Sequence, residues 1–204
     1  MESNTPMKTP IRFLFALLCA AIASLQSVHA ATITVMNTND SGAGSLRQAL
    51  ANANDGDTID FDSSLNGQTI TLTSSELLIN KSITISGPGA NILAVDGNHA
   101  RRVFHITSGN TVTISGLSIT NGNAGSFGGG IFNDATSGGS ATLTLSNCTV
   151  SGNRAASIGG GICNVAQNGS ATLMVSNCTS AATRPRAIPA AASAASAVTT
   201  AARR

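Results

Sequence analysis

The chain has no tryptophan, no tyrosine and only six phenylalanines among its 204 residues. Charge is scarce too, with Asp, Glu, Lys and Arg making up 10% of the sequence. A compact globule fills a wide core with large side chains, and that route is closed here. Ile, Leu, Val and a few Phe must suffice, which suits a narrow core repeated along an axis. Between Ala31 and Ser180 there are five basic residues, Arg47, Lys81, Arg101, Arg102 and Arg154, against eight acids, a net charge of −3. The formal +2 of the whole chain comes from its two ends. A mildly acidic body with no basic stripe speaks against nucleic acid as a partner.

Long apolar runs are also missing. The run Phe13–Ala23 follows Lys8 and Arg12 and is too short for a membrane span. It leads through a polar step to Val28-His29-Ala30, with small residues where a leader peptidase needs them. The pattern is that of a secretory signal peptide over residues 1–30, cut between Ala30 and Ala31. Leu18 ahead of Cys19 rules out a lipoprotein signal, which needs a small residue there. The mature chain is therefore expected to be exported and to contain no transmembrane span.

What the sequence does have is repetition. Gly128-Gly129-Gly130-Ile131-Phe132-Asn133 recurs as Gly159-Gly160-Gly161-Ile162-Cys163-Asn164. Gly139-Ser140-Ala141-Thr142-Leu143 recurs at Gly169–Leu173, and Ser146-Asn147-Cys148-Thr149 at Ser176–Thr179. The unit is about thirty residues, the length of one solenoid coil. Inside it apolar residues alternate with polar ones, as in Leu143-Thr144-Leu145, which marks short strands with one face buried.

Three strands fit each unit: the Gly-Gly-Gly-Ile, Thr-Leu-Thr-Leu and Cys-Thr-Val segments. Stacking like on like puts Ile131 over Ile162, Leu145 over Val175 and Cys148 over Cys178. Thr58–Phe61, Thr69–Leu72, Ser82–Ile85, Thr111–Ile114 and Leu117–Ile119 share this grammar with looser spacing. Gly87-Pro88-Gly89, Asp96-Gly97-Asn98 and Asn121-Gly122-Asn123 supply corners, where glycine tolerates positive φ.

The predicted fold is all-β, a right-handed parallel β-helix with a short N-terminal capping helix and a truncated C-terminus. Ser45 is placed to cap that helix, over 46–53, with Leu46, Ala49, Leu50 and Ala53 on its buried face. Residues 31–57 form the entry strand and cap, and 58–180 the repeats. After Ser180 glycine vanishes and 11 of 24 residues are alanine. Ala181-Ala182-Thr183 is what Ser-Gly-Asn codons yield when read one base out of frame. Residues 181–204 are thus expected to be a disordered, frameshifted tail on a fragment of a longer protein.

Gly-Ser-Leu-Arg-Gln-Ala-Leu leading into Asp-Gly-Asp-Thr-Ile resembles the entry segment of bacterial surface β-helix proteins. The Gly-Gly-Gly-Ile and Leu-Thr-Leu-Ser-Asn-Cys-Thr-Val-Ser-Gly-Asn units are similar to the polymorphic outer membrane protein repeats of chlamydial type. Gly130 and Gly161 stand where that family has Ala, and Cys148 and Cys178 near where it has Phe. The resemblance spans about residues 31–180. It implies a cell-surface, outer-membrane-associated or secreted scaffold of adhesin-like kind, with a surface polysaccharide or a host or cell-surface protein as partner. The alternative is the N-terminal part of a β-helix polysaccharide lyase or glycoside hydrolase.

Candidate chemistry is thin, and no enzyme, catalytic residue or cofactor is expected. Asp55, Asp57, Asp60 and Asp62 offer hard oxygens that calcium could use. Their positions fit turn chemistry better, with Asp60 and Asp62 outward beside Ile59 and Phe61. After Asp96 the only acid in the repeats is Asp134, too few for a hydrolase with paired carboxylates. Arg101 and Arg102 are expected to pair locally with Asp96 and His99. His105 has outward parity and no visible partner. Cys148, Cys163 and Cys178 lack zinc spacing; Cys148 and Cys178 read as small buried hydrophobes, with a disulfide as the alternative. Outward threonines such as Thr69, Thr71, Thr73, Thr111 and Thr113 are spaced too unevenly for the ranks of an ice-binding solenoid.

Overall fold

The computed structural model describes residues 30–181 and 199–200. The proposed leader, up to residue 29, and residues 182–198 and 201–204 of the tail lie outside the described residues. Strands alternate among three walls as the chain winds. Sheet A stacks Thr32–Val35, Thr58–Phe61, Thr84–Ser86, Thr111–Ser115, Gly139–Ser146, Gly169–Ser176 and Thr199–Thr200. Sheet B stacks Thr69–Thr71, Ala94–Asp96, Ser118–Thr120, Thr149–Ser151 and Thr179–Ala181, and sheet C Leu77–Ile79, Phe104–Ile106, Ile131–Ala135 and Ile162–Ala166. Every pairing is parallel, and the result is a β-helix of about five turns.

Alternation explains the walls. In Thr111–Ser115, Val112 and Ile114 point inward and are fully buried while Thr111 is exposed. The core is one column running from Val35 to Leu173. Register agrees with the repeat: Ile131 lies against Ile162 and Leu145 against Val175. The Cys148 N–H donates to Cys178 Sγ at 3.4 Å. The helix Leu46–Asn52 forms where expected, with Ser45 Oγ accepting from the Gln48 N–H at 3.2 Å. Its Leu46, Ala49 and Leu50 are buried, as is Ala53 just beyond it, and it packs on Thr32–Val35 and Leu77–Ile79. Among the described residues no helix is long and apolar enough to cross a membrane.

Three expectations need correction. The Gly-Gly-Gly segment is not strand; the sheet C strand of that coil begins after it, at Ile131. Its glycines serve close approach more than turning, because a Cβ on Gly129 would lie 2.1 Å from the Arg154 carbonyl oxygen and one on Gly130 2.6 Å from that of Gly161. Only Gly128 of the three has positive φ, at 55°. The uneven spacing of threonines in sequence also does not carry into space. Loops of different length absorb it, and sheet A pairs Thr32, Thr58, Thr84, Thr113 and Thr144 in one rank, which Met174 interrupts before Thr199. Finally, Ala181 closes a strand of sheet B, and Thr199–Thr200 pairs with Met174–Val175. Strand structure therefore reaches three residues assigned to the tail.

Candidate functional site

Three of the four acids of the entry segment are spent on the backbone. Asp55 Oδ1 accepts from the Ser82 N–H at 2.7 Å, and Asp62 Oδ1 from the Ser64 N–H at 2.9 Å, starting a short 3-10 turn. Asp57 is buried and accepts from the Asn54 N–H at 2.8 Å and the Ala31 N–H at 2.7 Å. The Asn54 and Ala31 hydrogen bonds hold its carboxyl below the usual carboxylate range, against the effect of burial. Asp60 is half-buried in sheet A, with Oδ1 buried and without a hydrogen bond. Among the described residues no three His, Cys, Asp or Glu side chains come together as a metal site.

The richer constellation stands on the outer face of sheet C. Register lines up Leu78, His105, Phe132 and Cys163 in one outward rank. Glu76 and Asp134 reach His105 diagonally, from two residues before Leu78 and two after Phe132. His105 Nδ1 lies 2.8 Å from Glu76 Oε1, and Nε2 lies 3.3 Å from Asp134 Oδ2. A neutral imidazole has one N–H and can donate to only one of them; the imidazolium donates to both. Arg102 pairs with Glu76 Oε2 at 2.5 Å, and its guanidinium also donates to the carbonyls of Phe127 and Gly128. It lies 4.9 Å from the centre of the Phe132 ring, which stacks on His105 at 5.1 Å and meets Phe127 at 5.8 Å.

This cluster joins three consecutive coils through one histidine. The His105 hydrogen bond holds the Glu76 carboxyl below its ordinary range, helped by Arg102 and opposed by burial. Burial pushes Asp134 upward, but hydrogen bonds from Thr136 and His105 outweigh it and keep that carboxyl low. Neither carboxyl is thereby tuned to serve as a general acid at neutral pH. The expected pairing of Arg102 with Asp96 does not occur. Asp96 instead accepts from the Asn98 N–H and from Asn121 Nδ2, and Arg102 turns to the other side of its coil. His105, expected to stand alone, has two ionisable partners. A sequence signal existed, for Glu76 and Asp134 each lie 29 residues from His105, close to one coil period.

Beside Glu76, where sheet B turns toward sheet C, three coils leave an open groove of about 370 Å³. Ser74, Ser75 and Glu76 line it from one coil, Arg101 from the next and Asn123 from the third. Arg47 braces the rim through Asp40 Oδ1 at 2.8 Å and the Ser75 and Glu76 carbonyls. Burial would raise the Asp40 carboxyl, but Ser74 and Arg47 bring it down to about 2. Arg101 is exposed, and its guanidinium forms no hydrogen bond or ion pair among the described residues. Three of the five basic residues of an acidic body thus meet at one corner, and one of them is unpaired.

The thiols complete the inventory. Cys148, Cys163 and Cys178 are free. Burial pushes Cys148 up to about 11 and raises Cys163 as well.

Fold and site together define a parallel β-helix scaffold with an ionic cluster and a polar groove on one flank. Comparison of the chain with protein-family models, curated proteins and solved structures gives no match. Its class therefore rests on the coil geometry and the repeat.

Proposed function

We propose that this chain is an exported cell-surface β-helix scaffold of adhesin-like kind, a piece of a longer protein, that offers its groove to a surface polysaccharide. Its units are read as polymorphic outer membrane protein repeats on the strength of the Gly-Gly-Gly-Ile and Ser-Asn-Cys-Thr motifs. The leader pattern ending at Ala30 supports export. The observation that carries the partner is the groove itself. It offers a free guanidinium at Arg101, a hydroxyl at Ser74, the Asn123 side-chain carbonyl and spare lone pairs on Glu76. Hydroxyl-rich chains bearing carboxylates fit such a lining, with the acid on arginine and the hydroxyls on the acceptors. The groove has no large apolar lining residue to anchor a peptide side chain.

Binding without turnover is the reading supported by the carboxylates. Glu76 and Asp134 are both committed to His105 and held ionised, whereas a glycoside hydrolase needs one carboxyl protonated near neutral pH. Titration with a uronic-acid oligosaccharide, monitored by calorimetry, is the test. Heat of binding should appear, fall at least tenfold in affinity in Arg101→Ala, and be absent for a neutral glucan oligomer. Equal binding of the neutral oligomer, or cleavage of either sugar, would overturn the reading.

A further inference from the structure

The mature N-terminus has a built seat. Sheet A begins at Thr32, one residue beyond the expected cut, and its first pair joins Thr32 to Thr58. The nitrogen of Ala31 lies 2.7 Å from Asp57 Oδ1, while the Ala31 carbonyl accepts from the Thr58 N–H at 2.8 Å. Asp57 is a carboxylate only 2% exposed, and among the described residues no Lys, Arg or His side chain pairs with it. Its hydrogen-bond donors are uncharged: the backbone amides of Ala31 and Asn54 and the Asn54 side chain. A buried carboxylate without a countercharge is costly and ordinarily acquires one.

From this geometry we infer that cleavage between Ala30 and Ala31 supplies that countercharge. The new α-ammonium of Ala31 forms a part-buried ion pair with Asp57 that locks the first coil. The inference rests on the export reading only for the position of the cut. Hydrolysis by a leader-removing peptidase consumes one water. The carboxylate remains on Ala30, and the freed amine of Ala31 takes up a proton. In the precursor, the Ala31 nitrogen is an amide with one N–H and no charge. In the processed chain the same atom, in the same place, carries a full charge and three donors. The neutral hydrogen bond to Asp57 becomes a charge-assisted one, which is shorter and about twice as strong. Because Asp57 also holds the Asn54 turn, the pair ties the entry strand to the segment linking the capping helix to Thr58–Phe61. Removing the leader thus completes the fold of the end that the helix covers.

The experiment compares the processed chain, residues 31–204, in three N-terminal forms. One starts with free Ala31, one carries an acetyl group on Ala31, and one keeps Val28-His29-Ala30. Each is made with Asp57 and with Asp57→Asn. The free-amine form is expected to melt a few degrees above the other two, and Asp57→Asn should erase that gap. Equal melting of all three forms with Asp57 present, or a gap that survives Asp57→Asn, would overturn the inference. If Asp57→Asn does not fold, the acetylated chain alone decides, since it differs only in charge and one small group. N-terminal sequencing of exported protein tests the cut separately. A start away from Ala31 would overturn the inference, because no ammonium would then form beside Asp57, while export itself would stand.

Discussion

The last two described coils carry nearly the same sequence and do not have the same interior. Leu143 is 0% exposed and Leu173 8%; Ile131 and Cys148 are buried, while Ile162 and Cys178 are only half-buried. Leu145 is buried and its partner Val175 is not. Met174, on the outward threonine rank, is 49% exposed. At the other end Val35, in the first strand of sheet A, is wholly buried, and the helix packs on that strand. A coil's core is thus made by its neighbours as much as by its own side chains, and a solenoid end is only as dry as what covers it.

The largest expected effect sets the two leucines against each other. Leu143→Ala empties a fully enclosed position and should cost about 3 kcal/mol, whereas Leu173→Ala should cost about half that, because its site is already partly open. Denaturant unfolding of both variants measures the contrast. Equal losses would mean that the last coil is as well packed as the one before it.

Acid sharpens the same comparison at the surface. Asp40, Asp57, Asp62, Glu76 and Asp134 all have carboxyls held low in the folded chain, Asp40 at about 2. The unfolded chain binds these protons more tightly. Their stabilising contribution is therefore complete above about pH 5 and is lost as pH falls through the folded values. Melting temperature should drop steeply between about pH 4 and pH 2. In Glu76→Gln the drop should be shallower, the variant being less stable than the parent at pH 7 by about 1 kcal/mol or less, as befits a partly exposed pair. An unchanged acid limb in Glu76→Gln would remove the ionic cluster from the stability of the stack.

The smallest effect concerns chemistry alone. Alkylation at pH 8, followed by mass spectrometry of peptides, should modify Cys178 before Cys148. The Cys148 thiol is buried and pushed up to about 11, so little thiolate forms there. Cys163, also buried and raised, should lag with it. Cys148 reacting first would contradict the burial difference between the coils.

What was legible in the sequence is local or periodic. Alternation in Thr111–Ile114 and Leu143–Leu145 places side chains on one face or the other. A thirty-residue repeat fixes Ile131 on Ile162, and Ser45 before Leu46 starts the helix. Each of these is set by residues adjacent in the chain or by like residues one coil apart. The ionic cluster was not legible in the same way. His105 meets Glu76 and Asp134 on the diagonal, two places off the rank it shares with Leu78 and Phe132. That geometry depends on sheet register and on how far a side chain leans along its strand. The threonine rank through Thr32, Thr58, Thr84, Thr113 and Thr144 was hidden for a related reason, since loops of unequal length obscure a register that backbone hydrogen bonds restore. By itself, then, the sequence determined the coil and its core, because burial of alternate residues is a property of the strand. Only the tertiary structure decided which charges meet, because those contacts are made between coils and across ranks.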